Sequence, residues 1–499
     1  MRRLPCFLLL TMLGCLGIAV ADAADKGMID QNLIESFDKA LSQQPGLERI
    51  VNAATNNDIK ALSLNRELVK GHDSRFNFEV EGTKIINQKS SGRCWMFAGA
   101  NVVTPKVMTR LKLSDFKLSE AYLAFWDKLE KSNLFLEIMI EMRDRDLDDR
   151  SLQTYLDDPI GDGGWWQYFT ALIGKYGVVP MSAMPETKQS SSTGRLNGLL
   201  KTLLRKATAE LRSMHESGKK EKDLREYKEE VLADVYKLLV CTYGRTPKEF
   251  VFRYEEESED EESNAEESEV KAETEAEDED EDSDEKKTKL LVDHDYTPLS
   301  FYHEFYGEQM PEYVALVDNP AMEYSLLYEL IGGRNVFEET DLTVLNLPVE
   351  KLKDYAYRMI LDSQIVWFAC DVSKDNFNDS GMFAVDIYDY SATFGIDFGT
   401  TKADRINYND MSPNHAMALL AVDTTENGVP RKWKVENSWG GDKGSGGYWT
   451  MYDSWFDEYV LLVIVDKELL GPEDAALFDQ KPVIIEDWQP FFAALKNLQ

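Results

Sequence analysis

The sequence contains few residues of the kinds that build disulfide scaffolds or metal centres. Five cysteines occur in 499 residues; Cys6 and Cys15 fall in an apolar N-terminal segment, while Cys94, Cys241 and Cys370 show no paired spacing. An odd number of remaining thiols excludes a fully paired framework and leaves at least one thiol free. The five histidines are scattered and no CxxC motif occurs, so we predict neither a metal site nor an organic cofactor.

Basic residues are also scarce. Lysine and arginine number 55 against 90 aspartates and glutamates, which gives a formal net charge of −35 at pH 7. The tract from Glu255 to Glu285 carries −19 of this charge, because twenty of its 31 residues are acidic and only Lys271 is basic. Such a block repels itself, so we predict a disordered, solvated insertion over 255–285 rather than a calcium site, which would need an ordered loop. A chain this acidic is not expected to bind nucleic acid through phosphate contacts.

A long apolar run is present only at the N-terminus. Two arginines precede the run at residues 4–20, and the small residues at 21–23 fit a cleavage site. We therefore predict that residues 1–23 are a secretory signal and that the protein is exported, to the periplasm or outside the cell. Two alternatives stay open: an uncleaved membrane anchor, because the run approaches the ~20 residues that span a bilayer, and a lipid anchor on Cys15. No transmembrane segment is predicted after the signal.

Apolar periodicity predicts helices early in the chain and strands late, which is an α+β arrangement. A buried helix is predicted over 94–111, and a helical hairpin over 195–244, with Cys241 on the apolar side of its second helix. Cys370 falls in a predicted core strand. The late strands are predicted at Val366–Val372, His415–Asp423, Lys432–Glu436, Gly447–Met451 and Tyr459–Asp466.

The segment NQKSSGRCWMFAGANVV, at residues 87–103, poses the question whether Cys94 is a buried core residue or a nucleophile. A lone cysteine is more often part of the core. A thiol attacks a carbonyl carbon only as the thiolate, and a helix N-terminus or a nearby imidazolium lowers the thiol pKa. Residues 90–92 are predicted to cap a helix that begins near Cys94, which supplies the first of these conditions.

The imidazole is predicted to come from His415, in PNHAMALLAVD, at the start of a predicted strand. Asn437, in KVENSWGG, can accept the imidazole N–H and fix its tautomer, and Trp439 can shield that hydrogen bond from water. Gln88 can donate its amide, together with the Cys94 backbone N–H, to a developing oxyanion. Each signal is weak alone, but four suitable residue types in the right order favour nucleophilic catalysis.

Three segments, QKSSGRCWMFA, NHAMALLAV and VENSWG, together resemble the papain-like cysteine peptidases, specifically the bleomycin hydrolase and aminopeptidase C family. The resemblance continues through DGGWWQY at 162–168, TPLSFY at 297–302 and VWFACDV at 366–372. It implies a papain-like two-lobe fold, with a helical lobe and a β-rich lobe, in one peptidase domain over residues 24–499. The implied activity is that of a cysteine aminopeptidase that cleaves N-terminal peptide or amide bonds through a thioester on Cys94, with His415 as base and acid.

The predicted catalytic residues are therefore Cys94, His415, Asn437 and Gln88, and the predicted substrate-binding residues are Gly163, Gly164 and Trp439, of which the glycine pair is assigned by the resemblance. The family also has a helical hook, which we assign to 195–244, and forms ring-shaped hexamers. Its C-terminal arm, which we assign to 486–499, ends in a carboxylate that meets the free amine of a peptide substrate.

The tail after Pro490, FFAALKNLQ, is about four residues longer than the resemblance implies. Four extended residues span up to ~13 Å, so we expect a blocked enzyme, or altered exo- and endopeptidase specificity, until the tail is trimmed. A second interpretation of the whole chain is a non-catalytic, acidic, exported binding or scaffold protein on the same fold. Such a relic should have lost at least one catalytic residue, yet all four are present.

Overall fold

The computed structural model describes residues 27–113, 115–257, 289–307 and 310–489. These residues divide into two units, of which the smaller comprises 27–63 and 390–396. The helices of the smaller unit are α1 (Gln31–Leu41), α2 (Leu47–Ala54), α3 (Ile59–Ser63) and α13 (Tyr390–Phe394). The Asp30 side chain caps α1 by accepting the Leu33 N–H at 2.8 Å.

The larger unit, residues 64–389 and 397–489, contains all the predicted site residues. Its helices are α4 (Arg66–Lys70), α5 (Cys94–Arg110), α6 (Glu120–Glu141), α7 (Arg150–Asp157), α8 (Trp166–Tyr176), α9 (Gly194–Glu216), α10 (Glu221–Tyr243), α11 (Pro298–Phe305), α12 (Val349–Leu361), α14 (Lys402–Asn407), α15 (Asp453–Tyr459) and α16 (Pro472–Ala476). Its strands are β1 (Phe78–Glu79), β2 (Phe250–Glu257), β3 (Lys289–Tyr296), β4 (Tyr313–Val317), β5 (Leu326–Leu330), β6 (Thr343–Asn346), β7 (Val366–Cys370), β8 (Asn376–Phe377), β9 (Met382–Phe383), β10 (His415–Thr424), β11 (Pro430–Glu436), β12 (Tyr448–Tyr452), β13 (Val460–Asp466) and β14 (Val483–Ile485).

One sheet of twelve strands organises the larger unit. Its order is β14-β5-β6-β4-β13-β7-β10-β11-β12-β9-β8, and β1 pairs with β10 beside this path. The central strands β7, β10 and β13 are buried along their whole length. This explains why they contain unbroken apolar runs, at 366–370, 416–422 and 460–465, instead of an alternating pattern. The mixed helices and strands confirm the predicted α+β class.

Two hydrophobic clusters use opposite sides of β10. Ala416, Ala418 and Leu420 belong to the cluster that contains the buried residues of α5, α6 and α8–α10. Met417 and Leu419 belong to the cluster that contains those of α12 and α15. Because successive side chains of a strand point to opposite faces, these two clusters pack on the two faces of β10. Packing on both faces fixes the position of the strand and of its first residue, His415.

The predicted late strands are confirmed, with starts and ends shifted by at most two residues. The helix predicted from residue 94 runs over Cys94–Arg110, and the predicted hairpin consists of α9 and α10. Cys370 is buried in β7, as expected. The placement of Cys241 in the core was wrong, because this residue is exposed. Leu239 and Tyr243, two positions before and after it, are buried. Residues two positions apart in an α-helix are about 200° apart around its axis, so Cys241 lies on the side of α10 opposite these two residues.

The acidic tract lies between two paired strands. β2 and β3 are antiparallel, with Glu257 opposite Lys289, so the first three tract residues, 255–257, are part of a strand and were wrongly included in the disordered insertion. The remainder of the predicted insertion, 258–285, and the predicted signal lie outside the described residues, as do residues 490–499 of the predicted arm. Within the described residues, no helix combines the length and apolarity that crossing a bilayer requires.

Gly177, which follows α8, packs closely against Pro298 at the start of α11, and substitutions at this position can test that packing. Its φ of 72° and ψ of −165° lie in a region that only glycine adopts readily, and an added Cβ would lie 2.2 Å from the Pro298 carbonyl carbon. We expect Gly177→Ala to lower the free energy of unfolding by about 3 kcal/mol or more, measured by urea denaturation. Gly174→Ala, inside α8 where an added Cβ meets nothing within 4 Å, should instead be stabilising by up to about 1 kcal/mol. Equal effects of the two substitutions would contradict this account.

Candidate active site

Cys94 is the first residue of α5 and is fully buried. Arg93 occupies the N-cap position, and its side chain makes no capping hydrogen bond. The predicted cap by residues 90–92 was therefore wrong, because the Ser91 hydroxyl donates to the Gln88 carbonyl oxygen at 2.6 Å and accepts from Arg93 Nε at 3.0 Å. The uncapped amides of α5 are left to stabilise negative charge near the sulfur.

A buried ion pair holds the residue before the cysteine. Arg93 Nη1 and Nη2 donate to the two carboxylate oxygens of Glu186, at 2.8 and 2.9 Å. The guanidinium also lies over the Phe97 ring, 5.1 Å from its centre. A bidentate pair of this kind fixes a side chain in one orientation. The contact with Glu186 therefore restrains Arg93 and the backbone that leads into Cys94. Sequence reasoning did not assign this role to Arg93 or Glu186.

His415 and Asn437 stand at the ends of neighbouring strands. His415 begins β10 and Asn437 directly follows β11, which pairs with β10 in antiparallel orientation. His415 Nε2 lies 2.9 Å from Asn437 Oδ1. If Nε2 carries the proton that it donates, Nδ1 is the unprotonated nitrogen of the neutral ring and can accept another proton. The Trp439 ring stacks on the imidazole at 4.8 Å, with 26° between the planes, in agreement with the predicted shielding.

The sulfur lies next to the first residues of β10. The Ala416 N–H donates to Cys94 Sγ at 3.4 Å, although the two residues are 322 positions apart in the chain. Since Ala416 directly follows His415, the predicted nucleophile and the predicted base are brought into the same region of the larger unit. Their roles stay predictions, but the arrangement is the one that those roles require.

Burial favours the neutral forms of both groups. Desolvation raises the pKa of the Cys94 thiol to about 12, although the N–H groups of Ala416, Trp95 and Cys94 itself lower it. Desolvation also lowers the pKa of His415 to about 4, although the hydrogen bond from its ring to Asn437 Oδ1 raises that pKa. Burial therefore opposes the lowering of the Cys94 pKa that the helix N-terminus was expected to give, and it favours the uncharged forms of both side chains.

Gln88 is held on both sides of its amide. Nε2 donates to the Ser91 carbonyl oxygen at 2.6 Å, and Oε1 accepts from the Ser438 hydroxyl at 2.5 Å. Its backbone N–H donates to the Ser438 carbonyl oxygen at 2.8 Å. An amide nitrogen carries two hydrogens, so one N–H of Gln88 remains for an oxyanion. Sequence reasoning missed Ser438, although it directly follows Asn437 in the ENSWG motif.

Gly164 lies against Trp95, the residue that follows the cysteine. An added Cβ on Gly164 would lie 2.5 Å from Cε2 of Trp95, so only glycine fits at this position. Both glycines border a cavity of about 100 Å³, together with Lys131, Phe135 and Tyr155. In the described part of the chain, no group of three or more His, Cys, Asp or Glu side chains could hold a metal ion.

The pKa of His415 gives a prediction for stability. An imidazole with a lowered pKa is protonated more easily after unfolding, so its contribution to stability is lost as the pH falls through the unfolded value of 6.5 towards 4. Over that range, wild type should lose about 3 kcal/mol more of its unfolding free energy than His415→Gln, whose side chain does not titrate. Urea denaturation at each pH measures the difference.

The matched control for that measurement is His303→Gln, at an exposed position of α11. This variant should follow wild type at every pH. If wild type and His415→Gln lost stability in parallel, folding would not lower the pKa of His415, and the effect of burial described above would be wrong.

Comparison with known proteins identifies the family. The model of the Peptidase C1-like family matches residues 28–272 and 277–492. Aminopeptidase C of Listeria monocytogenes is 36% identical over 458 residues, which cover 91% of this chain and 95% of the relative. Aminopeptidase C of Lactobacillus delbrueckii subsp. lactis is 33% identical over 476 residues, covering 93% and 98% of the two chains.

A solved structure extends the similarity to three dimensions. The crystal structure of PepW from Lactobacillus rhamnosis HN001 matches with a TM-score of 0.84 and 33% sequence identity, over 93% of this chain and 99% of that one. The papain-like fold expected from the sequence motifs is therefore confirmed. With a family model matching nearly its whole length and relatives at this level of identity, the chain belongs to the Peptidase C1-like family of cysteine peptidases.

Proposed function

We propose that this protein is a cysteine aminopeptidase that releases N-terminal residues from peptides or amides. The observation that carries the proposal is the contact of His415 Nε2 with Asn437 at 2.9 Å, beside a thiol that begins a helix with no side-chain cap. The names of the relatives, aminopeptidase C, support the exopeptidase activity. They also make the non-catalytic scaffold the less favoured interpretation.

The reaction begins from a neutral pair. As the Cys94 sulfur attacks the substrate carbonyl carbon, its proton passes to His415 Nδ1, and the C=O π electrons move onto oxygen. The resulting oxyanion accepts hydrogen bonds from the Cys94 backbone N–H and the remaining N–H of Gln88. The Asn437 oxygen stabilises the imidazolium that has formed, because its hydrogen bond favours the charged ring. Charge thus develops only when substrate is bound.

The intermediate then collapses to products. The C–N bond breaks, the leaving amine takes the proton from His415, and the acyl group stays on sulfur as a thioester. A water molecule gives its proton to the now neutral imidazole and attacks the thioester carbonyl. The acid is released, and the thiolate recovers its proton from His415. No metal or organic cofactor takes part in these steps.

The position of the C-terminal arm supports the proposal of exopeptidase activity. Its described part begins after β14, which pairs in parallel with β5. Asp487 accepts a hydrogen bond from Ser151 at 2.8 Å, and the Arg150 guanidinium lies 4.0 Å from the centre of the Trp488 ring. Both partners lie at the start of α7, the helix whose Tyr155 lines the cavity beside Gly163. We propose that the rest of the arm closes the cleft on the amino-terminal side of the scissile bond, and that its longer tail is trimmed.

A substrate pair and three variants test the proposed activity. We expect a panel of amino-acid 4-nitroanilides to be hydrolysed when the amine is free and to be poor substrates when it is acetylated. Cys94→Ser should abolish turnover, and Gln88→Ala should lower kcat by about 10²–10³. Cys241→Ser, which removes an exposed thiol, should leave the rates unchanged. Activity in Cys94→Ser, or its loss in Cys241→Ser, would rule out the assigned nucleophile.

We further propose export, removal of residues 1–23 and assembly into a hexamer. The signal rests on the two arginines, the apolar run and the small residues of the N-terminal sequence, and the hexamer on the family resemblance alone. Lipid attachment at Cys15 stays the alternative to a free exported form.

Intact-mass and native mass spectrometry of the purified protein test these proposals. Protein purified after export should begin at Ala24, and its intact mass should show loss of residues from the end at Gln499. Native mass spectrometry should give six times the chain mass. A retained N-terminus, a lipid on Cys15 or a full-rate enzyme that ends at Gln499 would each overturn the corresponding proposal.

A further inference from the structure

Asp162, in the loop that leads into the glycine pair, is the centre of a buried polar network. Its side chain is 7% exposed. Oδ2 accepts hydrogen bonds from the Gly92 N–H at 2.9 Å and from the Thr193 hydroxyl, while Oδ1 accepts from Asn197 Nδ2 at 2.9 Å and pairs with Lys128 Nζ at 2.6 Å. Four donors from three separate parts of the chain therefore converge on one carboxylate.

These donors come from the segments that form the proposed site. Gly92 lies two residues before Cys94, Thr193 is the N-cap residue of α9, and Asn197 lies in the first turn of α9, within the predicted hook. The Asp162 carbonyl oxygen accepts from Trp95 Nε1 at 2.7 Å. The loop thus contacts the chain on both sides of the proposed nucleophile.

Two lysines of α6 hold the other carbonyl groups of the loop. Lys128 Nζ donates to the Gly161 carbonyl oxygen at 2.6 Å, and Lys131 Nζ donates to that of Gly163 at 2.5 Å. Lys131 also pairs with Asp127 Oδ2 at 2.7 Å. Because the lysines are three positions apart on one helix face, they fix successive parts of the loop from a single rigid element.

The charges of the network balance. Two lysines face two aspartates, and each of the four is mostly or fully buried. Burial would raise the pKa of Asp162, but Lys128, Thr193 and the Gly92 N–H keep that pKa well below its usual range, so the carboxylate is charged at working pH. A buried ion pair is often no more stable than an apolar replacement of the same volume. Stability alone therefore does not account for a charged carboxylate at this point.

We propose, on the basis of the proposed function, that Asp162 is a positioning residue that fixes the distance between the Cys94 sulfur and the substrate-binding edge of Gly163 and Gly164. It acts on no reacting atom. It holds the cysteine loop through Gly92, the glycine loop through its own backbone, and both against α9. The hook helix is thereby part of the support of the site.

Two alkylating reagents separate positioning from simple loss of stability. Iodoacetamide needs only the thiol and its base, whereas leucine chloromethyl ketone with a free amine must also bind at the glycine edge before the sulfur displaces chloride. For Asp162→Asn, we expect the second-order rate constant of the chloromethyl ketone at Cys94 to fall by about 10- to 100-fold, since a misplacement of 1 Å can cost that much. The rate constant of iodoacetamide should change by less than about threefold.

The matched control is a second buried ion pair. Lys402 and Asp318 are 9% and 4% exposed, and Lys402 Nζ otherwise donates to carbonyl groups at 457 and 460 instead of to the loop of Asp162. Asp318→Asn should lose stability like Asp162→Asn yet keep the wild-type ratio of the two rate constants. Adding Lys128→Met to Asp162→Asn removes the unpaired charge. It should restore part of the ratio, because the side-chain oxygen of the substituted asparagine can still accept the Gly92 N–H.

Thr193→Val provides the test if Asp162→Asn does not fold. It removes one donor to the carboxylate with little change of shape and should lower the ratio by about threefold. The positioning role would be overturned if the folded Asp162→Asn variant kept the wild-type ratio of the chloromethyl ketone and iodoacetamide rate constants, or if Asp318→Asn lowered that ratio equally. If Asp162→Asn does not fold, an unchanged ratio in Thr193→Val would overturn it. If wild type itself reacted no faster with the chloromethyl ketone than with iodoacetamide, the proposed function would fail instead.

Discussion

The hydrogen bond between His415 Nε2 and Asn437 Oδ1, 2.9 Å long and buried under Trp439, determines how the rest of the candidate site is arranged. It joins the start of one strand to the residue after its antiparallel neighbour, so the pairing of β10 with β11 sets its geometry. The next residue of β10, Ala416, donates its N–H to the Cys94 sulfur. Three chain segments are thereby brought to one point by the sheet and by the helix packed on it. The chemistry of the site is accordingly a consequence of strand register, because a shift of one residue would turn the imidazole to the opposite face.

Burial both protects this site and restrains it. Removal of water strengthens each hydrogen bond but disfavours every charge that is not paired. The polar groups around the thiol meet that condition in two ways. Arg93 with Glu186, and Asp162 with Lys128, are charged and paired, whereas Cys94 and His415 are pushed towards their neutral forms. The permanent charges therefore hold the loops in place, while the reacting groups acquire charge only as a bond forms.

Sequence patterns predicted the parts of this arrangement that are encoded locally. His415 was predicted as the base because it stands just before an apolar run of strand length, and Asn437 because it follows a second predicted strand and offers a side-chain oxygen. Both strands are present. Local reasoning failed where a partner is distant in sequence. The residues at 90–92 looked like a helix cap, but Ser91 is already bound to Gln88 and Arg93. Asp162 gave no signal at all, since its donors lie 31 to 70 positions away along the chain and nothing in the DGGWW motif reveals them.

Acidic residues are unbalanced by basic ones in one tract of the chain, and they are paired with lysines beside the candidate site. Of the formal net charge of −35, the tract at 255–285 carries −19. Its first three residues belong to β2, and the rest lies between β2 and β3 in the sequence. Next to the site, by contrast, the buried aspartates at 127 and 162 each have a lysine. Unbalanced charge repels itself whatever the fold, and the repulsion weakens with distance and salt. Because −19 of the formal net charge of −35 falls in this one tract, the remaining residues carry a formal charge of −16, and the aspartates beside the site are paired with lysines.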